Sequence, residues 1–272
     1  MAEPMPAGAS GPGDPRETEL DDGRMPFVEH LRELRLRLRN AAIFFLIGVI
    51  GSWAFAGDIY DWLRQPLERA WAKYPAVLGP ESKMAFASIV EPFWVDMSVA
   101  LWAGIFVSSP FIFFQLWRFV APGLYQTERQ TGVWFSIFSA AFFVSGAAFC
   151  YYFVLEQLFT FLLGYADKKT QPVLMLREYF DLTRNMMLAF GAVFELPLLI
   201  YFLAKIGLVT HRGLWRFNRW FVVIAFVIGA ILTPSPDVPT QVMMAVPMIV
   251  LYNLSIVVAW VVVRNREKSA PE

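Results

Sequence analysis

Residues 185–204, NMMLAFGAVFELPLLIYFLA, carry one charged side chain, Glu195, near the middle of a run about long enough to cross a bilayer as a helix. A carboxylate at that depth costs several kcal/mol unless it is protonated, hydrated or paired. Pro197 follows two residues later and takes away a backbone donor, so the helix is expected to kink beside the acid. An intramembrane acid next to a kink is a candidate functional site; the plain alternative is a carboxyl satisfied by a neighbouring helix.

Five more apolar runs surround it, at 40–57, 97–117, 130–155, 220–236 and 238–263. Each is within reach of a hydrocarbon slab of ~30 Å, the fifth span in chain order (220–236) barely so unless residues from Trp215 or Phe217 extend it. Of the 272 residues 57% are hydrophobic and only 17% charged, and the mean hydropathy is +0.48. That composition makes the chain an all-α integral membrane protein with six transmembrane helices, because helices satisfy their own backbone polar groups in lipid. Trp and Tyr flank several spans, among them Trp53, Tyr60, Trp117, Tyr125, Tyr151 and Trp215. No internal repeat is visible between spans one to three and four to six.

Six spans put both termini on one side. Fifteen Lys and Arg lie on that side and eight on the other, and Arg32, Arg35, Arg37 and Arg39 crowd against the first span. This asymmetry predicts that both termini are cytoplasmic. Residues 1–25, rich in Pro, Gly, Ala and acids with no basic n-region, read as a disordered tail rather than a signal peptide; 26–266 form the membrane domain and 267–272 a C-terminal tail. The stripe of apolar residues in FVEHLRELRLRLR, 27–39, predicts a helix on the membrane surface that runs into the first span, where Glu33 could pair with Arg37. Residues 58–96 are too rich in Trp and Pro for a solvated tether and are expected to pack as a cap with short helical pieces.

Several chemistries find no machinery. Lys+Arg and Asp+Glu balance at 23 each, which points to no nucleic acid. Cys150 is the single cysteine, and neither His30 nor His211 sits in a metal-binding spacing. No P-loop, G-x-S-x-G or H-E-x-x-H occurs, so no enzyme activity, cofactor or metal is expected.

Four motifs occur in order: HLRELRLRL at 30–38, SSPFIFFQLWRFVAPGLYQTER at 108–129, FGAVFELP at 190–197 and LTPSPD at 232–237. Together, over 26–266, they resemble TatC, the core subunit of the twin-arginine protein translocase. The resemblance implies a cupped, glove-like bundle in the bacterial cytoplasmic (inner) membrane. It implies a receptor for signal peptides bearing two consecutive arginines on folded precursors. The implied partners are the single-span subunits TatB and TatA and further copies of the chain, with transport driven by the proton gradient. By motif, Glu33, Leu34, Arg35, Phe119, Pro122, Tyr125 and Glu128 correspond to the signal-peptide site. Glu195 corresponds to the intramembrane acid of the concave side. Pro66 and Asp237 correspond to residues of non-cytoplasmic loops, and Thr233 and Gln241 to positions where a partner helix docks. TPSPD stands where some relatives have TPPD, which leaves the direction of Asp237 open.

Two arginines need planar, fixed and partly dehydrated carboxylates, which Glu33 and Glu128 can provide; the plain reading is that each only neutralises its neighbour, Arg37 or Arg129. A groove between spans two and four, backed by Glu195, could take the apolar part of such a peptide, with Phe93, Trp94 and Phe111–Phe114 as candidate lining; with 26 Phe in the chain, the favoured reading of most of them is ordinary lipid-facing or packing aromatics. The alternative function is a proton-coupled carrier of a small solute using Glu195, which would need polar partners at its depth that the other spans do not visibly supply.

Overall fold

The computed structural model describes residues 27–79, 83–120, 129–166, 172–233 and 237–269. The 1–25 tail and residues 270–272 of the C-terminal tail therefore lie outside the described residues. Ten α-helices are described: α1 (Phe27–Trp53), α2 (Ala56–Trp71), α3 (Pro75–Leu78), α4 (Glu91–Val120), α5 (Arg129–Phe149), α6 (Leu155–Leu163), α7 (Leu176–Phe194), α8 (Leu196–Lys205), α9 (His211–Leu232) and α10 (Val238–Ser269). One π-helical stretch, Cys150–Val154, joins α5 to α6, so these three form one span. Five spans are long and apolar enough to cross a membrane, and the pair α1 and α2, bent by 82°, makes the sixth. The protein is an all-α, multi-pass membrane protein.

The first helix runs from the basic stripe into the first span, as expected. No Gly or Pro interrupts residues 27–47, so the two form one uninterrupted helix. α1 runs antiparallel to α4: Phe44 stacks on Phe111 at 4.5 Å, and Trp53 meets Phe93 at 6.2 Å. Between these contacts the backbones almost touch. A Cβ on Gly104 would lie 2.8 Å from the Val49 amide nitrogen, so only glycine allows this approach. The fifth span also starts earlier than its hydropathy suggested. The Thr210 hydroxyl accepts the Gly213 N–H and starts α9 at His211, giving 22 residues, about 33 Å of helix.

The expected kink is present. α7 ends at Phe194, Glu195 makes an i→i−3 bond to Ala192, and α8 begins with Pro197 in its first turn. The chain nevertheless counts as one span from Leu176 to Lys205.

The end of the bundle away from the termini is capped, as 58–96 suggested. α2 lies across it and buries Leu63, Pro66, Leu67 and Ala70 on one face. Pro66 sits inside α2 and has no N–H for the carbonyl of Trp62. The Tyr151 hydroxyl, brought there by the π-helical turn, donates to that carbonyl at 2.6 Å, and its ring stacks on Trp62. Tyr179 donates to the next carbonyl, Leu63, at 2.7 Å. Lys73 and Arg69 of the cap region reach Glu156 of α6 at 2.8 and 3.5 Å. A two-residue parallel pair, Met84 with Leu174 and Ala85 with Met175, ties the loop after α3 to the start of α7. Glu91 closes the tie: its two oxygens accept the N–H groups of Ala87 and Arg177.

Replacing Tyr151 by Phe leaves the Trp62 carbonyl without a donor and is expected to destabilise the purified protein by about 1–3 kcal/mol. Adding Pro66→Ala restores an N–H to that carbonyl, so the double variant should recover part of the loss in an unfolding titration. Equal stability of the single and double variants would contradict this coupling.

Candidate functional site

The polar residues singled out by sequence separate into three levels of the bundle. At the end carrying the termini lie Glu33, Leu34 and Arg35 on α1 and Phe119 in the last turn of α4. The antiparallel contact of Phe44 with Phe111 carries both segments towards that end. Leu34 and Arg35 are exposed. Glu33 accepts a bond from Arg37 at 2.9 Å, so the plain i,i+4 pair is formed. Pro122, Tyr125 and Glu128 lie outside the described residues, so the grouping of Glu128 with Glu33 stays an expectation.

At the opposite end, Pro66 shapes the cap as described above. Asp237 has a defined direction: its Oδ1 accepts the Thr240 N–H at 2.9 Å, capping α10. Thr233 is buried, and its hydroxyl donates to the Gly229 carbonyl at 2.9 Å. Gln241 stands in the first turn of α10, and a Cβ on Gly229 would lie 3.3 Å from its carbonyl oxygen. Thr233, Asp237 and Gln241 thus share the α9–α10 turn.

Between these ends is Glu195, ten residues or about 15 Å of helix from Lys205. The sequence reading found no polar partner for it in other spans; the structure brings the Ser139 hydroxyl of α5 near its carboxyl. Trp117 of α4 donates its indole N–H to Ser139 Oγ at 2.7 Å. With a lone pair of Ser139 taken by the indole, its own proton stays available. Phe135 and Phe202 pack on Trp117 at 4.9 and 4.8 Å. Glu195 Oε1 is buried with no hydrogen-bond partner among the described residues. Ser139 lies in the apolar run FSIFSAAFF, where one hydroxyl hardly lowers hydropathy; the regular i,i+4 spacing of Phe135 and Ser139 was the available signal.

The expected groove is built differently. Phe111 is stacked on Phe44, Phe113 packs edge-on against Phe143, and Phe114 lies beneath the Arg118 guanidinium. An apolar cavity does lie between the second, third and fourth spans, but its walls are other residues, Val99, Trp102, Phe106, Ala147 and Met187 among them, and Glu195 is not one of them. Asn253 of α10 accepts from Asn218 of α9 at 3.2 Å.

Known proteins share this arrangement. The family model described as Sec-independent protein translocase protein (TatC) matches residues 29–247. The TatC protein of Koribacter versatilis is 38% identical over 245 residues, covering 90% of this chain and 89% of its own. That of Aquifex aeolicus is 37% identical over 246 residues, covering 90% and 98%. A crystal structure of the twin arginine translocase receptor TatC superposes with a TM-score of 0.74 at 38% identity, over 85% of this chain and 97% of the other. A second, of the receptor in DDM, gives 0.75. Six spans, the fourth of them interrupted at Glu195, therefore have a family, and the chain belongs to it: TatC, the Sec-independent protein translocase proteins.

Proposed function

We propose that this chain is the signal-peptide receptor of a twin-arginine translocase. The observation that carries the reading is its likeness, over most of both chains, to a TatC receptor of known structure. In this reading the end with the termini faces the cytoplasm of a bacterial inner membrane, as the excess of Lys and Arg there favours. Glu33 and Glu128 grip two consecutive arginines of a folded precursor's signal peptide, with Leu34, Arg35, Phe119, Pro122 and Tyr125 around them. TatB and TatA join as single-span partners, the receptor self-associates, and the proton gradient drives transport without catalysis by this chain.

The physics favours an exchange at Glu33. Its bond to Arg37 is a half-exposed i,i+4 pair, worth a few tenths of a kcal/mol. A guanidinium that binds both carboxylate oxygens at a poorly hydrated surface is worth more, and displaces it at little cost. Lysine offers a point charge and cannot make the two parallel bonds. Glu195 serves a second step. Ser139, itself bonded by Trp117, stands near its carboxyl, and the open Oε1 is an acceptor for a polar donor on a partner helix, with Thr233 and Gln241 as further docking positions. The carrier reading gains nothing specific from the other spans.

Glu128→Ala is expected to abolish crosslinking of a twin-arginine signal peptide while the protein stays in the membrane, and a Lys-Lys peptide should fail with the parent chain. Unchanged crosslinking in both Glu128→Ala and Glu33→Ala refutes the site. Glu195→Ala should slow cargo transport while leaving peptide crosslinking intact, and Ser139→Ala should slow it less. Normal transport by the Glu195 variant removes this role.

A further inference from the structure

The apolar cavity between the second, third and fourth spans, about 350 Å³, adjoins a polar one of about 490 Å³; Phe180 and Arg184 line both. We propose that the two together hold one glycerophospholipid molecule from the leaflet at the capped end of the bundle. Its phosphate lies at Arg184 and Arg177, and an acyl chain fills the apolar cavity.

The order of residues along the helices matches the order of groups along such a lipid. On α4 the polar cavity takes Glu91, Trp94 and Ser98, and the apolar cavity takes Val99 through Val107. On α7 Arg177 and Asp181 come first, Arg184 is shared, and Met187 lies deeper. Head and tail therefore follow one another from the end of the bundle inwards, as they do in a bilayer leaflet. Ser98 to Val107 spans about 13 Å of helix.

The donors suit a phosphodiester, although the two arginines and two acids of the polar cavity balance in charge. Arg184 bonds Asp181 at 2.9 Å, and Arg177 reaches the same carboxylate at 3.7 Å, so two guanidiniums share one acid. Glu91, the other acid here, keeps its charge but turns both oxygens to backbone N–H groups and away from the arginine heads. Arg184 also lies over the Trp102 ring at 5.0 Å, which holds its head at the junction of the two cavities. A guanidinium so held makes charge-assisted bonds to phosphate with little loss of freedom.

The test is native mass spectrometry of the delipidated full chain titrated with dioleoyl phosphatidylglycerol. One molecule should bind saturably. Dioleoylglycerol, with the same tails and no phosphate, should bind about tenfold more weakly, and Arg184→Gln should weaken phosphatidylglycerol by about the same factor. Ala103→Phe, which fills the apolar cavity, should weaken both. Equal binding of the two lipids, binding that never saturates, or unchanged affinity in both variants overturns the site. So does a twin-arginine signal peptide whose binding Ala103→Phe abolishes while lipid binding is untouched, because the cavity then belongs to the peptide. If Arg184→Gln does not fold, the headgroup comparison on the parent chain and the Ala103 variant still decide.

Discussion

In a bilayer no water reaches a peptide carbonyl whose helical donor is missing, and this chain removes such donors with prolines inside its helices. Two of these gaps, at Pro66 and Pro110, are met by hydroxyl groups. Pro66 frees the Trp62 carbonyl, and Tyr151 bonds it. Pro110 frees the Phe106 carbonyl, and the adjacent Ser109 bonds it at 2.7 Å. A freed buried carbonyl costs about 1–3 kcal/mol, so each hydroxyl is a condition of the break beside it. The Pro66 gap also organises the fold, since Tyr151 reaches it only from the π-helical turn and so fastens α2 across the ends of the spans. Wide helical turns of this kind often mark functional positions, and here the turn aims Tyr151 into the cap and sets Tyr152 in the wall of the apolar cavity.

The same rule sets Glu195 apart from the other buried or half-buried acids. Both oxygens of Glu91 are taken by backbone donors, and both of Glu156 by cations. Glu195 has only the Ser139 hydroxyl near its carboxyl, and its Oε1 is buried with no partner among the described residues. A carboxyl in a span with half its bonding capacity open is unfavourable in the isolated chain and favourable once a donor arrives. That asymmetry suits a subunit that must bind single-span partners reversibly. The aromatic packing of Trp117, Phe135 and Phe202 holds Ser139 and the carboxyl in register for that arrival.

Much of this was legible in the residues. The apolar runs gave the six spans, Pro197 gave the break beside Glu195, and the Trp- and Pro-rich stretch after the first span gave the cap. What sequence missed shares a cause. Ser139 and Trp117 lie in runs whose hydropathy hides one hydroxyl or one indole N–H, and their meeting with Glu195 depends on how three spans pack. The start of α9 was missed because Arg212, Arg216 and Arg219 lower its hydropathy, while the Thr210 cap fixes the helix regardless. The candidate aromatic lining packs as ordinary aromatics, Phe111 on Phe44 and Phe113 on Phe143, and the cavity forms where smaller side chains, Val99, Ala103 and Ala147, leave room.

The central claim is that the open oxygen of Glu195 is completed from outside the chain. Isotope-edited infrared spectroscopy of the Glu195 carboxyl, in lipid nanodiscs with and without the single-span partners, reads this directly. A shift of the carboxyl band when the partners are added, absent in Glu195→Gln, is the predicted result. A band that stays in place while the complex forms would contradict it.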